Sequence, residues 1–180
     1  MRKTVFLDRD GVLNRAAVRH GKPYPPDSAQ ELEILDGVAE SLADLRRAGF
    51  LLLVVTNQPD VGRGTQQREV VEAIHSRLRA ELSLDDIFVC YHMDLDGCDC
   101  RKPLPGLLLQ AAKQYSLHLP SCFMIGDRWR DVDAGHNAGC RSILIDYRYQ
   151  ERGPEKEPIA VVKSLREAAD WILRNGRASE

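Results

Sequence analysis

The feature that most restricts this chain is an alternation. Short β-branched or aliphatic runs that close on polar residues recur at Thr4–Leu7, Phe50–Val55, Ile87–Tyr91, Cys122–Ile125 and Ser142–Ile145, and each reads as a buried strand. Between them lie stretches with helical spacing: Val38–Ala48 closed by Gly49, Gln66–Leu82, Leu107–Tyr115, and Asp131–Ala138 closed by Gly139. Strand and helix in turn predict an α/β fold, a parallel sheet with helices on both faces, whose ligands collect at the carboxyl ends of the strands. After a Pro/Glu/Lys-rich stretch, 151–158, an amphipathic pattern from Ser164 to Leu173 predicts a last helix. With 180 residues and 43% hydrophobic content, the chain fills one core, so 1–175 is expected to form a single domain and 176–180 a frayed tail.

The chemistry is expected at those strand ends. The first strand runs into Asp8-Arg9-Asp10-Gly11, which sends two carboxylates roughly to one side and Arg9 to the other, with Gly11 allowing a tight turn. Asp-x-Asp-Gly alone is also ordinary turn chemistry or a fragment of a calcium loop. It does not stand alone. The second strand ends in Thr56-Asn57-Gln58, Lys102 follows the third, and the fourth ends in Gly126-Asp127 with Asp131 four residues on. Phosphoryl transfer needs an in-line nucleophile, a cation, donors for the equatorial oxygens and an acid for the leaving alkoxide. Asp8 is the candidate nucleophile. Asp10 is the candidate acid, which afterwards deprotonates the water that opens the acyl phosphate. Asp8, the Asp10 backbone carbonyl and Asp127 offer hard oxygen ligands for Mg²⁺, with Asp131 supporting them from behind. Thr56 and Lys102 are expected to clamp the phosphate.

Phe6-Leu7-Asp8-Arg9-Asp10-Gly11, Val55-Thr56-Asn57-Gln58, Cys98-Asp99-Cys100-Arg101-Lys102-Pro103 and Gly126-Asp127-x-x-x-Asp131 together resemble the haloacid-dehalogenase-like phosphatases. The resemblance spans nearly the whole chain. It is strongest to the zinc-carrying branch that holds the histidinol-phosphate and D,D-heptose 1,7-bisphosphate phosphatases. It implies a Rossmann-like sheet and the roles argued above for Asp8, Asp10, Thr56, Lys102 and Asp127, and adds Asn57 and Arg101 as substrate contacts. The gaps where this superfamily often inserts a cap hold only about one loop and one helix, so no large cap domain is expected.

Three of the five cysteines crowd one segment, Cys90-x-His92-x5-Cys98-x-Cys100. Three thiols and one imidazole can surround Zn²⁺ tetrahedrally with no place left for water, which marks a structural site. Such a zinc loop would pin Arg101 and Lys102 at the rim of the active site. Cys122 and Cys140 read as core thiols, and Asp94-Leu95-Asp96-Gly97 as a solvated turn. His20, His75, His118 and His136 read as surface or packing residues. Trp129 and Arg130 fit a rim contact and helix-start packing equally well.

Net charge −2 and 6% aromatic content argue against a nucleic-acid end-processing phosphatase, and the complete catalytic set argues against a non-catalytic zinc-stabilised binding module. Phe50–Val55 is the longest apolar run and Met1-Arg2-Lys3 leads straight into a strand, so no membrane span or leader is expected, and a cytoplasmic monomer is. Two substrate cues conflict. Val61-Gly62-Arg63-Gly64 resembles the heptose-bisphosphate relatives, whereas the short gap between His92 and Cys98 resembles the histidinol-phosphate ones. Arg63, Arg101 and Arg128 could serve a ligand with two phosphates, which favours D-glycero-D-manno-heptose 1,7-bisphosphate as the sugar-bisphosphate partner over histidinol phosphate.

Overall fold

The structure, a computed structural model, describes residues 2–176. Of the tail expected to fray, 177–180 lies outside the described residues. Strand β1 (Thr4–Leu7) is buried along its whole length at the middle of a six-stranded sheet. On one side lie β4 (Leu51–Asn57) and then β5 (Asp86–Cys90); on the other lie β6 (Phe123–Gly126), β7 (Arg141–Ile145) and β8 (Ala160–Val162). All neighbours pair in parallel. Leu7 sits opposite Val54 on one flank and Ile125 on the other, so Asp8 emerges level with the ends of both adjoining strands.

Side chains along a strand alternate between faces, and β1 feeds two separate cores. Val5 and Leu7 pack on one face with residues of α1 (Val38–Arg47), α3 (Arg68–Glu81) and α6 (Leu165–Asn175), among them Leu42, Leu78 and Ile172. Phe6 points the other way, into a cluster with Leu107 and Leu108 of α4 (Gly106–Tyr115) and Ala134 of α5 (Trp129–Ala138). Burial of both faces explains why the strands read as continuous apolar runs.

The expected strands and helices form, with shifts at their ends. Strand β4 continues two residues past Val55, which places Thr56 and Asn57 inside the ladder opposite Val89 and Cys90. Helix α5 begins at Trp129, because the Asp131 carboxylate accepts the Arg128 backbone N–H at 3.1 Å and the Arg128 carbonyl accepts the Asp131 N–H at 3.0 Å. Helix α3 starts at Arg68, two residues later than its pattern. Three short elements carried too few residues to show a period. A hairpin of β2 (Ala17–Arg19) and β3 (Lys22–Tyr24) follows β1, the one-turn α2 (Pro59–Gly62) follows β4, and β8 completes the sheet edge just before the last helix. No separate cap domain stands over the strand ends among the described residues, and no described helix is long and apolar enough to cross a membrane.

Helix α5 lies close on the sheet at Gly135, where a Cβ would collide with the Ser142 hydroxyl and come within 2.8 Å of the Met124 Cβ. Gly135→Ala would gain about 1 kcal/mol in helix propensity but lose about 1–3 kcal/mol to overpacking. Urea titration is expected to show a net loss of up to about 2 kcal/mol; unchanged or higher stability would mean that the helix has room to shift.

Candidate active site

Asp8 is the first residue beyond β1, and its backbone N–H still bonds to Ile125 of β6 at 2.9 Å. Its carboxylate therefore stands over the sheet end, where Lys102 meets it. The Lys102 ammonium, 1% exposed, donates to Asp8 Oδ1 at 2.8 Å and to the Val55 carbonyl at 2.8 Å, and pairs with Asp131 Oδ1 at 2.6 Å. Its three N–H donors are thereby spent. Asn57 fixes the lysine from below: its amide donates to the Lys102 carbonyl at 3.0 Å and its oxygen accepts the Lys102 N–H at 3.1 Å. The Asn57 side chain, expected to touch substrate, thus bonds the lysine backbone, although it also lines the cavity.

Asp127 follows β6. Its Oδ2 accepts the Tyr149 hydroxyl at 2.8 Å, while Oδ1 is buried with no hydrogen-bond partner. Gly11, at φ 83°, passes so close that a Cβ there would overlap the Asp127 carboxylate. One oxygen from each of Asp8, Asp127 and Asp131 lies within 4.8 Å of the others. Three buried carboxylates face one ammonium, so an uncompensated negative charge remains in a place of low dielectric. Burial, against the pull of Lys102, pushes the Asp8 carboxyl up to about 6. Burial, then Asp8 and Asp131, push Asp127 well above the usual carboxylate range. An orphaned buried oxygen beside two further carboxylates fits a hard divalent cation such as Mg²⁺.

Asp10 has a different environment. Arg9 turns back onto it, with Nε 3.1 Å and Nη2 3.0 Å from Oδ2. The expectation that Arg9 would point away from the paired carboxylates is therefore corrected. Asn14 donates to Oδ1 at 3.0 Å and Gln58 to Oδ2 at 2.8 Å. Burial alone would raise the Asp10 carboxyl, but Arg9, Asn14 and Gln58 outweigh it and hold it below the usual range. Gln58 also donates to the Thr56 hydroxyl at 3.0 Å, which joins Thr56 to this network.

Above these groups opens a cavity of about 460 Å³ with Asp8 and Asp10 in its wall. Its rim carries Arg63, Arg101, Arg128 and Arg130, each held by a carboxylate: Asp60 for Arg63, Asp94 for both Arg101 and Arg130, and Glu151 for Arg128. Asp94 does sit in an exposed turn, yet it also anchors two arginines. Lys22 and Tyr24 of the hairpin close another side. Trp129 lines the cavity and has its ring under Arg130 at 4.6 Å and Arg152 at 3.4 Å. Tyr149 and Glu151 had no signal of their own in the sequence, because only the turn after β7 brings them back to Asp127 and Arg128. Gln58 could have been found, since it closes the motif that carries Thr56 and Asn57.

Cys90, at the end of β5, meets His92, Cys98 and Cys100 in the loop that follows, with one donor from each within 4.8 Å of the rest. Cys90 Sγ is 3.9 Å from Cys98 Sγ and 3.0 Å from Cys100 Sγ, and His92 Nδ1 is 3.3 Å from Cys100 Sγ. Ligands around a tetrahedral zinc stand roughly 3.5–3.8 Å apart; Cys90 stands near that spacing from Cys98 and, at 3.6 Å, from His92, Cys100 would move outward by several tenths of an ångström, and three thiols with one imidazole are the donor chemistry of that ion. Burial raises the Cys90 and Cys100 thiols; a bound cation would favour the thiolates instead. The loop leads directly into Arg101 and Lys102.

A family profile described as HAD-hyrolase-like matches residues 99–168. The D-glycero-beta-D-manno-heptose-1,7-bisphosphate 7-phosphatase of Helicobacter pylori strain J99 is 35% identical over 178 residues, covering 94% of this chain and 97% of the relative. The chain belongs to the haloacid-dehalogenase-like phosphatases. The enzyme of the same description from Pasteurella multocida is 36% identical, covering 81% of this chain and 82% of its own. The crystal structure of D,D-heptose 1,7-bisphosphate phosphatase from B. bronchiseptica, complexed with magnesium and phosphate, superposes with a TM-score of 0.82 at 32% identity, covering 96% of this chain and 99% of that one. As a member of this family, the chain is a phosphoric monoester hydrolase.

Raised carboxyls give the metal-free protein a pH dependence of definite sign. The folded chain holds a proton on Asp8 up to about pH 6 where the unfolded chain releases it near 3.8, so this contribution is complete below about 4 and is lost as pH rises through about 6. Asp127→Asn removes one of the repelling charges. In chelator the variant is expected to gain stability relative to the parent as pH rises from about 4 to 7. Added magnesium should raise the melting temperature of the parent and leave the variant unmoved; an equal shift in both would exclude Asp127 from a cation site.

Proposed function

We propose that this phosphatase removes the 7-phosphate of D-glycero-D-manno-heptose 1,7-bisphosphate and leaves the heptose 1-phosphate. What carries the reading is the correspondence with relatives of that activity along nearly the whole chain, set over a cavity that pairs the Asp8 carboxylate with a rim of arginines. Asp8 attacks the 7-phosphorus in line, and the bond from phosphorus to the sugar oxygen breaks as the aspartyl phosphate forms. Asp10 is held low in the empty site, but the incoming phosphate dianion would raise its proton affinity; so protonated, it gives the departing alkoxide its proton, then takes one from the water that attacks the acyl phosphate, returning Asp8 and inorganic phosphate. Lys102 orients Asp8 and offsets the charge that gathers on the transferred group, and the Thr56 hydroxyl is the further candidate donor to it. Asp8, Asp127 and the Asp10 carbonyl, supported by Asp131, would hold Mg²⁺, which supplies Lewis-acid charge compensation when bound. Cys90, His92, Cys98 and Cys100 would hold a structural Zn²⁺ that keeps Arg101 and Lys102 at the rim. Arg63, Arg101 and Arg128 are the candidates for the second, non-reacting phosphate, whose binding orients the reacting end.

The short zinc loop favours histidinol phosphate as the second reading, and one assay separates the two. With magnesium present, the heptose bisphosphate is expected to exceed both its monophosphate and histidinol phosphate in kcat/KM, and Asp8→Asn should turn over none of them. Arg101→Ala should narrow the bisphosphate preference roughly tenfold, the scale of a lost charge-assisted contact of about 1.5–3 kcal/mol. Faster turnover of histidinol phosphate, or equal loss on both sugar phosphates, would overturn the substrate assignment.

For the zinc loop, elemental analysis of protein prepared without chelator is expected to find about one zinc per chain, and Cys98→Ser should raise KM before it lowers kcat. Zinc-free protein of full activity would refute that role.

A further inference from the structure

Beneath the floor of the site lies a polar chain that reaches the cavity through Asp10. Arg9 is fully buried, so each of its N–H groups must find a partner inside the protein. One edge of the guanidinium, Nε and Nη2, is applied to the Asp10 carboxylate. The remaining nitrogen, Nη1, lies 3.1 Å from Nε2 of His75, which is itself buried in α3. A guanidinium only donates, so His75 Nε2 accepts and the imidazole proton sits on Nδ1. Glu72, one turn earlier in α3, places Oε2 3.7 Å from that Nδ1, beyond hydrogen-bond reach, so Nδ1 is buried without a hydrogen-bond partner, while the other Glu72 oxygen takes the Tyr91 hydroxyl. Burial, then the Arg9 cation, lower His75 to about 4, which keeps Nε2 an acceptor at neutral pH.

We infer that His75 is a positioning residue for the reaction: by engaging Nη1 it fixes the rotation of Arg9, so that the opposite edge of the guanidinium holds the Asp10 carboxylate in one orientation in the cavity wall. The inference rests on the reading of Asp10 as the acid. Without an acceptor at position 75, one Arg9 N–H is buried unpaired, a loss the guanidinium can relieve only by turning away from Asp10. His75 is absent from the cavity lining, so its effect must pass through Arg9 and fall on the step that Asp10 serves. Proton donation matters for an alkoxide leaving group and little for nitrophenolate.

The test uses the full-length magnesium-loaded enzyme with two substrates, a sugar phosphate and 4-nitrophenyl phosphate. His75→Leu is expected to lower kcat on the sugar phosphate roughly tenfold or more, part of the ~10²–10⁴ a general acid contributes. It should leave KM and nitrophenyl phosphate turnover within about threefold, and His75→Gln, which keeps a neutral acceptor, should restore most of the loss. Asp10→Asn is the control. If it shows no difference between the two leaving groups, the acid reading of Asp10 fails and this inference with it. If Asp10→Asn discriminates while His75→Leu slows both substrates alike, slows neither, or is not rescued by glutamine, only the role of His75 is overturned. Nitrogen-15 NMR of the unmodified protein decides the matter without a variant that must fold: the inference requires the proton on Nδ1 and a bare, hydrogen-bonded Nε2, and a proton on Nε2 refutes it.

Discussion

The buried ammonium of Lys102 is the contact on which the rest of the site depends. It touches the end of β1 through Asp8, the end of β4 through the Val55 carbonyl and the start of α5 through Asp131. Those segments are far apart in sequence, and a mobile side chain could not hold them in common. Its backbone is fastened in turn by Asn57, and the residues just before it belong to the cysteine-rich loop. A buried ion pair is costly when either partner is left alone. Here the one cation is shared between two carboxylates with a third nearby, so the cluster is short of positive charge, which fits the two demands a phosphatase makes on it: affinity for a divalent cation and for little else until that cation is present.

The second organising device is the difference between Asp8 and Asp10, two residues apart and both buried by the fold. Burial, joined by the Asp131 and Asp10 carboxylates, outweighs the pull of Lys102 and pushes the Asp8 carboxyl up. Asp10 is held by Arg9, Asn14 and Gln58, and is pushed down. Neighbouring groups of one chemical kind thus acquire different proton affinities from their partners alone. The rim repeats this logic at larger scale. Its arginines are set in place by Asp60, Asp94 and Glu151, which fixes their direction while leaving the cavity mouth polar.

Much of this was legible in the residues themselves. The buried strands announced themselves because a parallel sheet covered on both faces must be apolar throughout, and the ends of the helices because glycine and acidic residues stand where backbone groups lose their partners. Asp8, Lys102, Asp127 and the four metal-type ligands were visible because each lies at a strand end or in a tight spacing. The hairpin, α2 and β8 were not, since three or four residues carry no period. Nor was the bond between Arg9 and His75, which are 66 positions apart; a lone histidine in a helix reads as packing, and its partner sits in a motif that draws the eye to the aspartates instead.

By itself, then, the sequence determined the class of fold, the catalytic vocabulary and the metal-type donor set, because hydrophobic period and residue chemistry are local properties. Only the tertiary structure decided which groups share a proton or a charge. That Asp94 anchors two arginines, that Tyr149 and Glu151 return to the site, and that Asn57 grips the Lys102 backbone follow from where the parallel crossovers bring loops together. Hydrogen bonds and ion pairs act over about 3–4 Å, and separation along the chain says nothing about distances of that size.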